Sequence, residues 1–236
     1  MSKTEQAYQS LREDILLGRL VPETSLTISA LTDRYGFGWT PLREALSRLE
    51  TEHLVILELN RGFRVAPVSK VELEDLQFTR RLVELPLFKQ SVLLGEDKWR
   101  EHLKRSHSDL VTFDIAIGDI NDKNLIEWEL RHDAFHKALV AGARSKWLTR
   151  FQHQIIDHLK RHNRALILRP VFTNKTNAPS QSEALEKMFR HAMGLDQHTP
   201  IMEAAIAGDA DKAVVLLEEH LTLTLDVHKM LEETNG

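Results

Sequence analysis

The chain has no cysteine, which excludes a disulfide scaffold and any thiolate-ligated metal site, and is compatible with a reducing compartment. It has no apolar run long enough to cross a bilayer and no signal-peptide pattern at its N-terminus, so the expectation is a soluble cytoplasmic protein with no membrane partner. Internal repeats and low-complexity tracts are missing too. An excess of positive charge is also lacking. The formal net charge is −4, and residues 1–68 carry eight Lys and Arg against nine Asp and Glu, so charge supplies no basic footprint of the kind many nucleic-acid binders show. What remains is ordinary globular composition, 42% hydrophobic and 28% charged over 236 residues, enough for two modest domains with a core each.

The most informative segment runs from Leu26 to Val68. Leu26, Ile28 and Leu31 begin an apolar stripe at helical spacing that Gly36 and Gly38 interrupt. Thr40 is placed to cap a second helix, with Pro41 at its first position, where a missing N–H costs nothing. Leu42, Ala45, Leu46 and Leu49 share one face of that helix, leaving Arg43, Ser47 and Arg48 on others. Leu54 to Leu57 and Phe63 to Val65 then flank Asn60-Arg61-Gly62, the pattern of a hairpin with an Arg at its tip. Two short helices followed by a hairpin is the order of a winged helix-turn-helix, whose second helix docks in the major groove through its N-terminal residues. Thr40, Pro41, Arg43, Ser47 and Arg48 of the helix, with Arg61 and Gly62 of the wing, are the candidate DNA-binding residues.

Pro67 closes the wing, and Ser69 reads as the N-cap of a long helix with Glu72 completing a capping box. This divides the chain into a winged helix-turn-helix, residues 1–68, and an all-helical domain, residues 69–236. Apolar residues recur at helical spacing over 71–94, 98–120, 122–142, 146–169, 180–194, 196–207 and 210–232, and the stretch from Pro170 to Ser180 reads as a loop. The fold class is mainly α.

Twelve histidines are present, and position matters more than number. His132 and His136 are four apart, so both imidazoles lie on one helix face, and His198 and His220 on the last two helices could complete a four-nitrogen site. Nitrogen ligands without thiols suit a divalent transition ion, Zn²⁺ or Ni²⁺ foremost. His158 and His162 have the same spacing and compete as a pair. Solvated or core histidines are the plain alternative for either.

The segment Thr40-Pro41-Leu42-Arg43-Glu44-Ala45-Leu46, the opening Tyr8 to Leu20 and the run Asn60 to Val65 resemble the GntR family of transcription regulators. One departure stands out: Gly38-Trp39 occupies the place where that family usually has Ser-Arg. Residues 71–230 resemble the FCD effector domain of the family's FadR branch. There an Asp or Asn, the His of a Phe-His pair four residues later, and two later His hold a metal ion. Phe135-His136, His198 and His220 match, and His132 stands at the Asp or Asn position. The run Glu127 to His136 is most similar to the CsiR-like subgroup, which also carries His there and responds to glutarate. The resemblance implies an operator-binding homodimer controlled by a small carboxylic acid. Arg80, at the family's R-x-x-x-E position with Glu84, and Arg161, among His158, His162 and Arg164, are the candidate effector-binding residues, since Arg pairs with carboxylates through two hydrogen bonds. The plain reading of Arg80 is a solvent-facing salt bridge.

Two other readings stand beside this one. The ion could be structural or could itself be the signal. A metal-dependent hydrolase is disfavoured, because Asp133 follows His132 where a zinc protease carries its Glu base.

Overall fold

The computed structural model describes residues 1–113, 122–168 and 195–235. The chain forms two compact units: residues 1–76 with 154–168, and, among the described residues, 77–113, 122–153 and 195–235.

In the first unit, α1 (Lys3–Leu16), α2 (Ile28–Tyr35) and α3 (Trp39–Thr51) precede the strands β1 (Val55–Glu58) and β2 (Gly62–Val65). Each start has a local cause. The Ser2 side chain accepts from the Glu5 N–H and that of Thr27 from the Ala30 N–H, while Gly36 closes α2 in the left-handed region that its lack of a Cβ allows. The expected cap of α3 is corrected. Gly38 is the N-cap, with extended backbone and no side-chain bond, so Thr40 lies inside the first turn and Pro41 at the third helical position. That turn has no intrahelical N–H partner to lose, so the proline still fits.

Leu42, Ala45, Leu46 and Leu49 are buried with Leu11 and Ile15 of α1 and with Leu54 and Val65 beside the wing. Each fully buried leucine contributes about 1.5–3 kcal/mol. The strands pair antiparallel with Val55 opposite Val65 and Glu58 opposite Gly62. Asn60 and Gly62 both have positive φ, which sets the turn that carries Arg61 outward. Asp14 ties the helices together, accepting from Arg19 at 3.0 Å and from Arg34 and Tyr35 at 2.6 Å each.

Ser69 caps α4 (Lys70–Leu94) as expected, its hydroxyl accepting from the Glu72 N–H at 3.1 Å. The helices α5 (Asp97–Val111), α6 (Asp122–Val140), α7 (Lys146–Asn163), α8 (Leu195–Ile206) and α9 (Ala210–Asn235) follow. α7 ends in a π-helical turn, Arg164–Leu168, where a continuous α-helix was expected. The tail of the helix expected over 98–120, the loop from Pro170 to Ser180 and the helix at 180–194 lie outside the described residues.

In the second unit α5 packs on α6 and on α8, and α8 on α9. Leu87, Phe88, Leu103, Phe135, Leu139, Ile201 and Leu217 form its apolar interior. Trp99 wedges into the turn after α4, its indole N–H donating to the Ala138 carbonyl at 2.9 Å. A Cβ on Gly95 would lie 2.2 Å from that ring, which explains why glycine stands there. This packing brings the inner face of α4 and the histidine-bearing stretches of α6, α8 and α9 together.

Candidate functional site

Helical spacing puts His132 and His136 one turn apart on α6, and the α8–α9 pair delivers His198 and His220 to the same point. One nitrogen from each of the four imidazoles lies within 4.8 Å of the other three. The Nε2 atoms of His136 and His220 are 3.2 Å apart, and the rings of His198 and His220 meet edge to face with centroids at 4.5 Å. Trp128, one turn before His132, stacks on its ring at 4.6 Å and fixes its plane. His136, His198 and His220 are buried. Burial pushes the His132 imidazole well below its ordinary pKa, with the charges of the neighbouring imidazoles adding to the effect, and burial lowers that of His136 as well. Four imidazoles turned toward one point, with burial holding His132 and His136 neutral, have the donor set a divalent transition ion requires, so these residues fit such an ion.

A second layer lies behind His136. Its Nδ1 is 3.0 Å from Glu84 Oε1 and 3.1 Å from Arg80 Nη2. Arg80 donates to both carboxylate oxygens of Glu84, at 2.6 and 3.3 Å. The pair is buried, so the solvent-facing reading of Arg80 is corrected. Burial pushes the Glu84 carboxyl up, but the Arg80 charge and the His136 hydrogen bond outweigh it and hold the pKa down at about 2. An ionised Glu84 accepting from His136 Nδ1–H sets the tautomer that leaves Nε2 free to bind, the arrangement found behind metal-ligating histidines. Glu84 was visible in the sequence only as the partner of Arg80.

Arg161 is not brought to this cluster. Its guanidinium donates to the Ala66 carbonyl at 2.8 Å and the Pro67 carbonyl at 2.5 Å, where the wing ends. The competing pair is engaged with carbonyls in the same way. His158 Nε2 meets the Glu52 carbonyl and His162 Nδ1 that of His158, both at 2.8 Å, while His162 Nε2 is 3.1 Å from Glu72. Arg164 donates to Leu17 O, and Arg12 pairs with Asp157. The C-terminal part of α7 is thus held to the first unit by side chains that read its main chain.

On the winged helix, Thr40, Arg43 and Ser47 are exposed on one face of α3, and Pro41 is half-buried beside them. Arg61 projects from the hairpin tip next to Gly62. Arg48 differs from the rest. It lies over the Tyr8 ring at 3.8 Å and pairs with Glu5 at 2.8 Å, so it fastens α3 to α1. Trp39, which spacing alone did not single out, is 56% exposed at the start of α3 with the Arg43 guanidinium 4.9 Å from its ring.

Residues 3–65 match "Bacterial regulatory proteins, gntR family", and residues 75–223 match "FCD domain". The chain belongs to the gntR family. The chain is 34% identical to the "HTH-type transcriptional repressor GlaR" of Escherichia coli (strain K12), with 93% of each chain covered. It is 30% identical to the regulator BphR of Paraburkholderia xenovorans (strain LB400), over 96% of this chain and 85% of that one. Its fold is that of the solved structure "E. coli McbR/YncC", with a TM-score of 0.72 and 19% identity over the whole of both chains. This GntR-family chain is therefore a transcription regulator and not an enzyme, so the hydrolase alternative lapses. Among the described residues, no helix of this regulator is long and apolar enough to cross a membrane.

Proposed function

We propose that this regulator is a cytoplasmic homodimeric repressor that binds an operator through α3 and the wing and is controlled by a small carboxylate held beside a His-ligated divalent ion. The observation that carries the reading is the gathering of His132, His136, His198 and His220 next to the buried Arg80–Glu84 pair. Four imidazole nitrogens suit Zn²⁺ or Ni²⁺, and the bound ion would supply a positive charge to an acid at the site. Arg80 lies behind His136, its charge balanced by Glu84, and holds that carboxylate in place against the imidazole. Repression is supported by relatives named as repressors, GlaR and RspR of Escherichia coli (strain K12).

Glutarate, or another C4–C5 acid, is the effector the CsiR-like resemblance suggests. Arg161 drops out of the reading, since its guanidinium serves the carbonyls at the end of the wing. Thr40, Pro41, Arg43, Ser47, Arg61 and Gly62 form the DNA-reading surface, with Trp39 beside them. The acid has to bind the operator-competent and incompetent dimers unequally, or it shifts nothing.

Thermal melting of zinc- or nickel-loaded protein against C3–C6 mono- and dicarboxylates, with and without chelator, tests this. An acid at 100 times its Kd adds about 2.7 kcal/mol, a shift of several degrees, which chelation abolishes. The second reading, in which the ion itself signals, is favoured by the four-imidazole donor set. It wins if no acid moves the melt and chelation alone changes operator affinity.

A further inference from the structure

Trp39 is the one exposed aromatic side chain among residues 1–76. The apolar core of that unit takes in Tyr35, Phe37 and Phe63 around Leu42, Leu46 and Leu49, and Trp39 is no part of it. The unit therefore closes its core without the indole, and an aromatic ring left in water contributes nothing to folding. Its place in the fold says what it can meet. Trp39 is the first residue of α3, the end at which a recognition helix touches base edges.

The ring is held in one pose by its neighbour. Trp39, Arg43 and Ser47, at i, i+4 and i+8, run along one exposed side of α3. The Arg43 guanidinium lies over the indole, 4.9 Å from the ring centre, a cation–π contact that keeps the two side chains in register. Lacking charge, the indole has no use for a phosphate.

Chemistry then selects the base. In the major groove guanine offers two acceptors, cytosine an amino donor, and adenine one of each. An apolar ring pressed on any of these strips water from polar groups and returns little. Thymine alone carries an apolar group there, its C5 methyl, beside the O4 acceptor. An apolar ring with a single N–H donor matches both features. Arg43, by contrast, suits guanine O6 and N7. Four residues span about 6 Å along the helix axis, less than two base-pair steps of about 3.4 Å. Resting on the DNA-reading surface given above, we propose that Trp39 is a specificity-determining residue that recognises a thymine methyl within two base pairs of the guanine met by Arg43.

The test is binding of the full chain to an operator duplex found by in-vitro selection, followed by fluorescence anisotropy. Deoxyuridine replaces each thymidine in turn, which removes the methyl alone. For the wild type, one thymine in each half-site should prove sensitive, with affinity falling about fourfold, the worth of one buried methyl, and about fifteenfold when both half-sites are changed. Trp39→Ala should bind the intact operator about fifteenfold more weakly or worse, ignore the substitution, and melt with the wild type, as befits an exposed residue outside the core. Trp39→Phe should keep the sensitivity. Salt dependence should be the same for all three, because no phosphate contact is involved. Wild-type affinity indifferent to every substitution overturns the proposal. So does a Trp39→Ala protein that stays sensitive, since Thr40 has a methyl of its own and would then be the reader. A sensitive thymine more than two base pairs from any guanine does the same. Arg43→Ala separates the two levels of the reading. Weakened binding there, with Trp39→Ala at full affinity, strikes Trp39 alone. Full affinity in both variants removes this face of α3 from the DNA-reading surface, and the proposal with it.

Discussion

Glu84 is the side chain at which folding stability and the proposed ion binding meet. It is fully buried, accepts two hydrogen bonds from Arg80 and lies 3.0 Å from His136 Nδ1. Glu84→Gln leaves a buried guanidinium without its counter-charge, which is expected to cost about 3–5 kcal/mol in urea denaturation. It also removes the acceptor that fixes the His136 tautomer, and zinc affinity measured against a competing chelator should fall about 10–100-fold. Replacing both Arg80 and Glu84 by Met should restore most of the stability but not the zinc affinity. Equal recovery of the two would show that Glu84 acts on the histidines only through folding. Little of this was legible beforehand. An Arg and a Glu four apart on a helix look the same in sequence whether they face water or an interior, and only the tertiary packing that sets His136 of α6 against them decides it. The histidine pair on α6 was legible from spacing, whereas His198 and His220 needed the family likeness, because no local pattern links them to residues more than sixty positions earlier.

At the scale of the element, α3 divides its arginines between two tasks. Arg43 is exposed beside Trp39, while Arg48 is held by Glu5 and Tyr8. On an operator found by in-vitro selection, Arg43→Ala should lower affinity by about 1–3 kcal/mol, the worth of a good base contact, with the melting temperature unchanged. Arg48→Ala should do the reverse, costing about 0.5–1 kcal/mol of stability, since its ion pair is half-exposed and its ring contact is modest. Their helical positions were readable from the apolar face of Leu42, Ala45, Leu46 and Leu49, but not the division of labour, which depends on α1 lying against that flank.

α7 repeats the lesson. Arg161 finds its partners 94 and 95 residues earlier, and they are backbone carbonyls, which carry no residue identity for a sequence pattern to reveal. The same helix has a pH signature. Burial lowers the pKa of His158 and of His162, with the Arg161 charge adding to the effect in both, so below the ordinary histidine value of 6.5 the unfolded chain binds more protons than the folded one. Stability therefore rises with pH and falls as pH drops below 6.5. Between pH 7.5 and 5.5 the wild type should lose more stability than His158→Gln, which keeps a donor for the Glu52 carbonyl but cannot titrate. Identical slopes would remove His158 from the account.

For the whole molecule, the apolar surface on α4 bears on assembly. Phe78, Leu82 and Leu93 are exposed at positions that recur on one side of the helix, opposite the row of Gln77, Arg80 and Glu84. Scattered apolar residues are normal on a surface, but large ones aligned along one helix face are what an interface requires. A two-fold dimer uses the same patch on both copies, and a palindromic operator needs two winged helices related in that way. The homodimer we propose therefore makes a prediction distinct from folding and from ligand binding. Leu82→Glu places two like charges across a shared axis and should shift sedimentation from dimer to monomer at micromolar concentration. The zinc-dependent part of the melt should persist, because His132, His136, His198 and His220 come from one chain. Operator affinity should fall steeply as the two half-sites are engaged separately. A variant that stays dimeric with full operator affinity would move the dimer interface off this face of α4, while leaving the histidine site and the winged helix as they are.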